Sequence, residues 1–506
     1  MDLNKEKIKK LSLTQQSQII ILGQAIAFSF NFLVPVVVVR FFDMAQYGIY
    51  KQLFLVIMTL TLILPFGIIE SLYYFIPRER KYNQHYIMQT VMFLIFAGLL
   101  FLLLMLFIGD RIFSYLNLSH LYTYSFPLYL YIVLMIISLP FEKLMIIQEK
   151  VTLSSFITVI SETLKGICII SATVITGNLE VVLYALVVFS SLRLIVFFSY
   201  LIRNQLLFFS FKKIDINRIK EQMRYAVPFG FAVVVATLRR FLHQYFVSFL
   251  FMAKDFAIYA VGSFQLPLMN VIYTSVSNVV LIRISEYQKQ NKKNEILQIW
   301  LNSARKLALV YFPVAALFMI SSREFISVVF TESYLESVPI FMVTLMQLPF
   351  DTFITHSVLK AFSETKFIFK VNLIFFIITT LFIYTFIHLW GMIGASIGTV
   401  LSFALIRVIE IMKIKRLMGI SFDRLIPWRI FIKILFICLI CSIITIFAKS
   451  FADFSSSLFT LLLELGLFAL LYLSIAYNSS LFLRNEKEDM KKLVCKFLPV
   501  FNPGLK

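Results

Sequence analysis

The sequence has little of the charge that a soluble protein of its length needs on its surface. Only 15% of the 506 residues are charged, whereas 60% are hydrophobic and the mean hydropathy is +0.88. A soluble protein would require far more polar surface. Apolar runs long enough to cross about 30 Å of hydrocarbon recur along the chain, and they are continuous rather than alternating. We therefore predict an all-α polytopic membrane protein, because helices satisfy their own backbone hydrogen bonds in lipid.

Other absences narrow the possible functions. The four cysteines (Cys168, Cys438, Cys441 and Cys495) lie in or beside apolar segments without the spacing of a metal site, which indicates small core residues and no metal. No glycine-rich phosphate loop occurs, so neither ATP hydrolysis nor a cofactor is expected. Membrane polymerases and ligases generally place catalysis in a large outer loop, and the longest predicted outer loops have about 16 residues. An enzyme is therefore not expected.

Fourteen apolar segments are predicted to span the membrane as helices. They lie near residues 18–40, 47–76, 87–109, 125–147, 152–176, 179–202, 225–252, 256–282, 304–320, 337–359, 367–389, 391–412, 430–448 and 456–480. Residues 1–14 carry four lysines and no apolar core, and the stretch after them is too long for the apolar region of a signal peptide. That stretch is predicted to be the first span rather than a cleaved leader.

The basic residues are distributed unevenly between the two sides of the predicted membrane. With the N-terminus placed inside, 36 of the 47 lysines and arginines fall in inner segments, six in outer segments and five within spans. This asymmetry follows the positive-inside rule and predicts that both termini are cytoplasmic. It also accounts for the net charge of +20, so membrane lipids are expected partners and nucleic acid is not.

Two short matches indicate an internal duplication. The second span opens with YGIY at residues 47–50 and the eighth with FAIY at 256–259, an offset of 209. Arg193 of the sixth span lies sixteen residues after Gly177. Arg407 of the twelfth span lies sixteen residues after Gly391, an offset of 214. Parallel repeats form a transporter architecture with the substrate path between two lobes, and one chain supplies both, so a monomer is expected. The predicted domains are an N-terminal six-helix lobe (1–203), a cytoplasmic linker (204–224), a C-terminal six-helix lobe (225–416), two additional transmembrane helices (417–482) and a cytoplasmic tail (483–506).

Polar side chains form stripes on the first and second spans and on their repeat mates, the seventh and eighth. Residues at helical spacing share one face of a helix, and a lipid-facing surface gives no reason to keep polar groups. The four helices are therefore predicted to line a central cavity, with ordinary packing through small and polar residues as the alternative. The predicted cavity residues are Gln24, Asn31, Gln52, Glu70, Gln244, Asn270 and Thr274.

Two adjacent arginines, Arg239 and Arg240, lie near the middle of the seventh span. Both side chains cannot easily reach an interface from that depth, and guanidinium groups match phosphate oxygens in bidentate fashion. The pair is therefore predicted to bind a phosphate group. The alternative is a buried ion pair with Asp351 or Glu70, two carboxylates that are also candidates for binding a coupling ion.

Three further cations lie within spans. Lys165 is included in the predicted substrate site, with an intrahelical ion pair to Glu162 as the alternative. Arg193 and Arg407 lie nearer the cytoplasmic ends of their spans. These two side chains are therefore expected to extend to the membrane interface.

Four segments, in order along the chain, carry motifs of a known family. They are residues 40–50 (RFFDMAQYGIY), 67–77 (GIIESLYYFIP), 259–286 and 391–398 (GMIGASIG). These segments resemble parts of the polysaccharide-transport flippases, which belong to the multidrug/oligosaccharidyl-lipid/polysaccharide exporter superfamily together with O-antigen (Wzx-type) and lipid II flippases. The family's usual Gly-Pro is Asp43-Met44 here, and the first two spans offer amides and Glu70 instead of the arginine cluster of the lipid II branch.

The resemblance implies both a fold and a function. The fold would be two six-helix lobes in a V with two trailing helices. The substrate would be an undecaprenyl-pyrophosphate-linked oligosaccharide, such as an O-antigen, capsule or exopolysaccharide repeat unit. It would move from the inner to the outer leaflet of a bacterial cytoplasmic membrane, and a polysaccharide polymerase and a chain-length regulator are candidate partners. The alternatives are a multidrug/cation antiporter of the same superfamily, for which acidic central residues are expected, and a membrane polysaccharide polymerase or ligase.

Overall fold

The computed structural model describes residues 23, 26, 27, 30, 32–206, 215–451, 456–479, 481, 482, 484 and 486–488. Two of the predicted cavity residues, Gln24 and Asn31, lie outside these described residues. The described part is almost entirely helical and contains no strand. The all-α prediction is therefore confirmed.

Twenty helices have described bounds. In order they are α1 (Phe32–Phe41), α2 (Met44–Ile63), α3 (Ile68–Arg78), α4 (Asn83–Tyr115), α5 (Ser125–Ser138), α6 (Pro140–Ile147), α7 (Val151–Thr176), α8 (Leu179–Arg203), α9 (Ile216–Leu250), α10 (Ala253–Gly262), α11 (Pro267–Lys289), α12 (Lys293–Ile320), α13 (Ser322–Phe330), α14 (Val338–Leu345), α15 (Leu348–Asp351), α16 (Thr355–Ala361), α17 (Thr365–Met418), α18 (Phe422–Leu425), α19 (Trp428–Phe451) and α20 (Ser457–Asn478). Short 3-10 turns occupy Arg80–Tyr82, Ser119–Tyr124 and Glu332–Ser337.

Within the described ranges, twelve helical stretches are long and apolar enough to cross a membrane. One of them, α17, has 54 residues and would be about 80 Å long if straight, far more than a bilayer requires. Much of the first predicted span falls outside the described residues. The multi-span architecture is confirmed, whereas the count of fourteen spans stays a prediction.

The second predicted span is built from two helices with a break between them. Asp43 starts α2 with a capping box, because its carboxylate accepts from the Gln46 backbone and the Gln46 side chain accepts from the Asp43 backbone. The chain then breaks at residues 64–67, where Gly67 has a φ of 78° that favours glycine. A β-carbon at Gly67 would lie 2.8 Å from the Ala226 carbonyl oxygen of α9. The glycine therefore lets α9 approach the break closely.

The fourth and tenth predicted spans are also broken. Pro140 begins α6 directly after α5, in the first turn of a helix, where a missing N–H costs no hydrogen bond. The tenth span is divided into α14, α15 and α16, with Pro349 at the start of α15 and non-helical residues after Thr352. Breaks of this kind free backbone groups at membrane depth, where they are tolerated inside protein or beside water.

The long helix α17 is a hairpin of two antiparallel arms, 365–389 and 392–418. The backbone leaves helical geometry at Trp390 and Gly391, and Gly391 has φ 59° and ψ −142°. Thr379 hydrogen-bonds Ser402 across the hairpin, and a β-carbon on Gly394 would overlap the Phe386 carbonyl. The arms correspond to the eleventh and twelfth predicted spans.

The helices form two compact units. The first comprises Met1–Ser275 and Thr365–Ser402. In it, α2 packs against α9 and α10, α8 packs against α5 and α7, and α3, α4 and α6 meet in an apolar core. That core contains Leu72, Phe75, Tyr86, Phe141 and Phe197, all at most 3% exposed. The predicted lobe boundaries at residues 203, 225 and 416 stay a prediction.

The second unit comprises Val276–Glu364 and Phe403–Lys506. Here α12 packs against α19, α19 against α20, and α13 against α20. The indole of Trp300 donates a 2.8 Å hydrogen bond to the Leu425 carbonyl. Lys449 lies 2.6 Å from Glu324 and 2.8 Å from Glu464, so two acidic side chains from different helices share one cation.

Candidate functional site

The polar face of α9 contacts α3 and α4 near the N-terminal end of the helix. The side-chain amide of Gln222 donates to Ser71 Oγ at 2.8 Å and to Thr90 Oγ1 at 3.0 Å. All three side chains are buried, at no more than 1% exposure. Buried polar groups are costly unless they are paired, so this cluster fixes the position of α9 against its neighbours.

One turn earlier on α9, Arg218 makes an ionic contact with the end of α3. Its Nη1 donates to Glu79 Oε2 at 2.8 Å, and its guanidinium lies 3.3 Å from the centre of the Tyr82 ring. Arg218 also pairs with Asp215 on its own helix at 3.1 Å. We call the contacts of Arg218 and Gln222 with α3 and α4 the inner latch, because the charge distribution predicts that this end of α9 faces the cytoplasm.

The other end of α9 is joined to α2. The amide of Gln52 donates to Ser248 Oγ at 3.1 Å, and its oxygen lies 2.8 Å from His120 Nε2. Gln52 is 1% exposed. Gln52, which was predicted to line the cavity, is therefore buried in the contact between α2 and α9 in this conformation. Side-chain hydrogen bonds thus join α9 to neighbouring helices near both of its ends.

Arg239 and Arg240 lie between these two contacts. The Nε of Arg239 donates to Asn372 Oδ1 of α17 at 3.1 Å. Arg240 is exposed and, within the described part of the chain, forms no ion pair. Nearby, His243 Nδ1 lies 2.7 Å from the Tyr259 hydroxyl, and Ser396 donates to that hydroxyl at 3.4 Å. The middle of α9 thus combines two cations with neutral hydrogen-bonding groups.

Glu70 and Asp351, the two carboxylates considered as ion-pair partners of Arg239 and Arg240, are paired with other cations. Glu70 lies 2.6 Å from Lys143, and Asp351 lies 3.2 Å from Arg407. Both predicted coupling residues are therefore members of ion pairs. Their role in ion coupling stays a prediction.

The remaining predicted site residues are less closely grouped. Lys165 pairs with Glu162 at i, i+3, as the spacing suggested. Gln244 is half-buried on α9, whereas Asn270 and Thr274 are exposed on α11. The Thr274 hydroxyl donates to the Asn270 carbonyl at 2.9 Å, within its own helix. Their roles in lining a cavity stay predictions.

Arg193 was expected to extend to the membrane interface, but its side chain is buried. It is 9% exposed, donates from Nη2 to Glu142 Oε2 at 2.8 Å, and donates from Nε to Ser138 Oγ at 3.2 Å. Both partners flank the break between α5 and α6. The expectation was wrong because a carboxylate on a neighbouring helix offers the guanidinium a buried partner.

Arg407 is also buried rather than extended, at 6% exposure. Its Nη1 donates to Thr355 Oγ1 at 2.6 Å and to Glu410 Oε2 at 3.1 Å, while Nη2 donates to Asp351 Oδ1 at 3.2 Å. His356 Nε2 lies 2.7 Å from Glu410 Oε1. We call these five residues the Arg407 cluster; all belong to the second unit.

The sequence interpretation missed Glu142, His356 and Glu410. Glu142 and His356 lie more than fifty residues from their partners, and no spacing rule connects them. Glu410 had a local signal, because it lies one turn after Arg407 on the same helix. Among the described residues, no group of three or more His, Cys, Asp and Glu has metal-binding geometry.

Buried ion pairs beside broken apolar helices are thus the main polar features of the described chain, and comparisons with known proteins show its family. The chain belongs to the polysaccharide biosynthesis protein family, whose model matches residues 37–339. No curated protein gave a significant match by sequence.

Several solved structures have a similar fold. A lipid II flippase, MurJ, in an inward closed conformation matches with a TM-score of 0.67 and 16% identity, over 90% of this chain and 98% of that one. An outward-facing multidrug resistance transporter of the MATE family matches with a TM-score of 0.58 and 13% identity, over 80% and 94%. A transporter of the MOP superfamily from Pyrococcus furiosus matches with a TM-score of 0.58 and 12% identity, over 80% and 94%. At these identities the likeness establishes the fold.

Proposed function

We propose that the protein is a flippase for an undecaprenyl-pyrophosphate-linked oligosaccharide, which it moves from the inner to the outer leaflet of a bacterial cytoplasmic membrane. The observation that carries the proposal is the exposed guanidinium of Arg240 in the middle of a membrane-spanning helix, in a chain of the polysaccharide biosynthesis family. A charge at that depth costs about 2.5–3.5 kcal/mol on insertion scales. A retained charge of this kind indicates an anionic ligand.

The chemistry of the substrate matches these residues. A diphosphate is prohibitively costly to move through hydrocarbon unassisted, because its charges lose their hydration. Arg240 and Arg239 would replace that hydration with bidentate hydrogen bonds, and Lys165 would add positive charge. The amides of Gln52, Gln244 and Asn270 would bind sugar hydroxyls, while the lipid tail stays in the bilayer.

Alternating access requires the two ends of α9 to separate from their neighbours in turn. The inner latch would close the cytoplasmic end, and the contact of Ser248 with Gln52 would close the opposite end. Opening the latch would admit the substrate from the inner leaflet. Breaking the Ser248 contact would release it to the outer leaflet, as the two predicted lobes rock about the site.

The expected setting follows from the same proposal. The chain would act as a monomer, and both termini would be cytoplasmic. A polysaccharide polymerase and a chain-length regulator are proposed partners, because they would consume the oligosaccharide that the flippase delivers. No chemical step is assigned to the protein, so it would be a transporter rather than an enzyme.

Accumulation of lipid-linked oligosaccharide in a deletion strain tests the proposal. The leaflet is assigned with a membrane-impermeant sugar probe. We expect complete lipid-linked units to accumulate facing the cytoplasm and surface polymer to disappear. Surface polymer that persists with normal lipid-linked intermediates would overturn the substrate assignment and make drug or cation export the next activity to measure.

Complementation with variants then tests the site. Arg240→Ala is expected to lower surface polymer at least about tenfold, since losing one charge-assisted hydrogen bond costs about 1.5–3 kcal/mol. Arg240→Lys should retain part of the activity, because the charge remains without the bidentate geometry. Arg203→Ala, which removes an exposed arginine at the end of α8, is the matched control. Full surface polymer from an Arg240→Ala strain would contradict the phosphate assignment.

A further inference from the structure

The repeat places an arginine against a broken helix in both units, and the two sites differ in charge. In the first unit Arg193 of α8 pairs with Glu142 of α6, beside the α5–α6 break. In the second unit Arg407 of α17 pairs with Asp351 of α15, beside the break before α16. The first pair is balanced, with one guanidinium and one carboxylate.

The second site contains an extra carboxylate. Glu410 is 0% exposed and accepts from both Arg407 and Thr355. The position 214 residues earlier, which the repeat offset makes equivalent, is Val196, and this valine is 54% exposed. Two carboxylates therefore face one guanidinium in the second unit, whereas the position equivalent to Glu410 in the first unit carries no charge.

The extra negative charge requires compensation. An isolated buried carboxylate is strongly disfavoured in a low-dielectric interior, where it must be paired or take up a proton. His356 Nε2 lies 2.7 Å from Glu410 Oε1, which is hydrogen-bonding distance. With a neutral imidazole the cluster carries one net negative charge, and with an imidazolium it is neutral. Histidine is the side chain whose charge ordinarily changes between about pH 5 and pH 8.

The geometry also indicates which atom would accept the proton. A neutral imidazole that donates its Nε2 hydrogen to Glu410 leaves Nδ1 as the atom that accepts a further proton. The His356 side chain is 36% exposed, whereas Glu410 is fully buried and Arg407 nearly so. The imidazole is therefore the most exposed of the charged and titratable side chains in the cluster.

The backbone around the cluster resembles that of an ion site. Thr355 begins α16 after the non-helical residues 353 and 354, and Asp351 ends the short helix α15. Discontinuous helices at membrane depth are typical of substrate and coupling-ion sites in transporters. The other charged groups nearby are Lys360 on α16, which is exposed, and the ion pair of Lys413 with Glu364 at 2.8 Å.

From these observations we infer that the Arg407 cluster is a proton-binding site, in which His356 takes up a proton against Glu410, and that this proton is coupled to transport. Uptake converts the cluster from a net charge of −1 to neutrality without moving Arg407 from Asp351. The coupling rests on the proposed transport function, whereas proton binding does not. The site is distinct from Arg239 and Arg240, which lie in the first unit.

Proton binding is measured on the purified protein in lipid nanodiscs, without substrate. The five histidines are labelled with nitrogen-15, and the His356 signal is assigned by its loss in His356→Gln. We expect Glu410→Gln to change the pH dependence of the His356 signal, because it removes the carboxylate that lies 2.7 Å from Nε2. Glu410→Gln keeps the Arg407–Asp351 pair, which matches the balanced pair of the first unit, so it is expected to fold.

The control is Glu364→Gln, which removes a carboxylate from the ion pair with Lys413 outside the cluster. This variant should leave the His356 titration unchanged. A His356 signal with the same pH dependence in the wild type and in Glu410→Gln would overturn the site. A shift of equal size in Glu364→Gln would also overturn it, because the effect would then come from general surface charge.

Coupling is tested in proteoliposomes that contain the lipid-linked oligosaccharide from the deletion strain. A gradient of about one pH unit should change the initial rate of flipping by up to about tenfold in the wild type, the limit for one coupled proton. The Glu410→Gln protein should flip the lipid-linked oligosaccharide at a rate that does not depend on the pH gradient. If the wild type flips with no response to pH, the coupling is refuted and the flippase stands. If no flipping occurs under any gradient, the proposed function fails, and the nitrogen-15 titration still decides the proton site.

Discussion

Gly48 of α2 lies directly against the backbone of Ala253 at the start of α10. A β-carbon on Gly48 would overlap the Ala253 carbonyl oxygen. These helices begin with the two sequences that first indicated the duplication, YGIY and FAIY. The repeat-related segments therefore pack against each other in the first unit, and only glycine at position 48 allows the distance.

Gly48→Ala is accordingly expected to destabilise the protein by about 1–3 kcal/mol, because the added methyl group forces the backbones apart. The midpoint of thermal unfolding in detergent is the measurement. Gly466→Ala is the control, since nothing lies within 4 Å of a β-carbon there and alanine is the better helix former. A Gly48→Ala protein that unfolds at or above the wild-type temperature would show that the close contact of α2 and α10 is not maintained.

The inner latch gives a prediction about conformation. Glu79→Gln weakens the contact of Arg218 with α3 and should increase the labelling of a cysteine placed at Ala226, buried on α9 beside Gly67, by a thiol reagent added from the cytoplasmic side. The labelling rate in membrane vesicles is the measurement. Arg80→Gln breaks only an exposed pair at 3.9 Å and should leave the rate unchanged. Equal labelling rates in all three proteins would mean that the latch does not control access.

Asn372 offers a way to alter the charge beside the arginine pair without changing shape. Asn372→Asp places a carboxylate at the oxygen that accepts from Arg239. The resulting ion pair should compete with a bound phosphate, so surface polymer is expected to fall about tenfold or more while expression stays normal. Asn372→Ala should have a smaller effect, because no competing charge is introduced. Undiminished polymer in the Asn372→Asp strain would place the phosphate away from Arg239.

The two arginine sites of the repeat should differ in stability. Glu142→Gln leaves Arg193 buried without a carboxylate, which is expected to cost about 3–5 kcal/mol. Glu410→Gln leaves Arg407 with Asp351 and should cost much less. Thermal unfolding of both variants provides the comparison. Similar losses in the two would contradict the assignment of Glu410 as the surplus charge.

The membrane architecture could be predicted from the sequence because length and continuity of apolar runs are local properties. The boundaries of 152–176 and 179–202 agree with α7 and α8 to within one residue. The turn at Gly391 was also predicted, as the boundary between the eleventh and twelfth spans. The breaks in the second, fourth and tenth spans were less visible, since each depends on packing as well as on a proline.

The polar contacts were harder to predict, because they join residues far apart in the chain. Lys165 and Glu162 were paired correctly from helical spacing alone. Arg193 and Arg407 were placed at the interface, since the sequence does not show which neighbouring helix carries a carboxylate at the same depth. Burial of a charge is decided by its partner, and the partner is a tertiary property.

The hairpin of α17 has a consequence for how the chain enters the membrane. Its two arms are joined by only two non-helical residues. The first arm therefore cannot insert fully before the second arm is synthesised. Both should cross as one unit during synthesis. A reporter inserted at Gly391 would separate the arms and break the bond between Thr379 and Ser402. Topology mapping by inserted reporters should therefore avoid position 391.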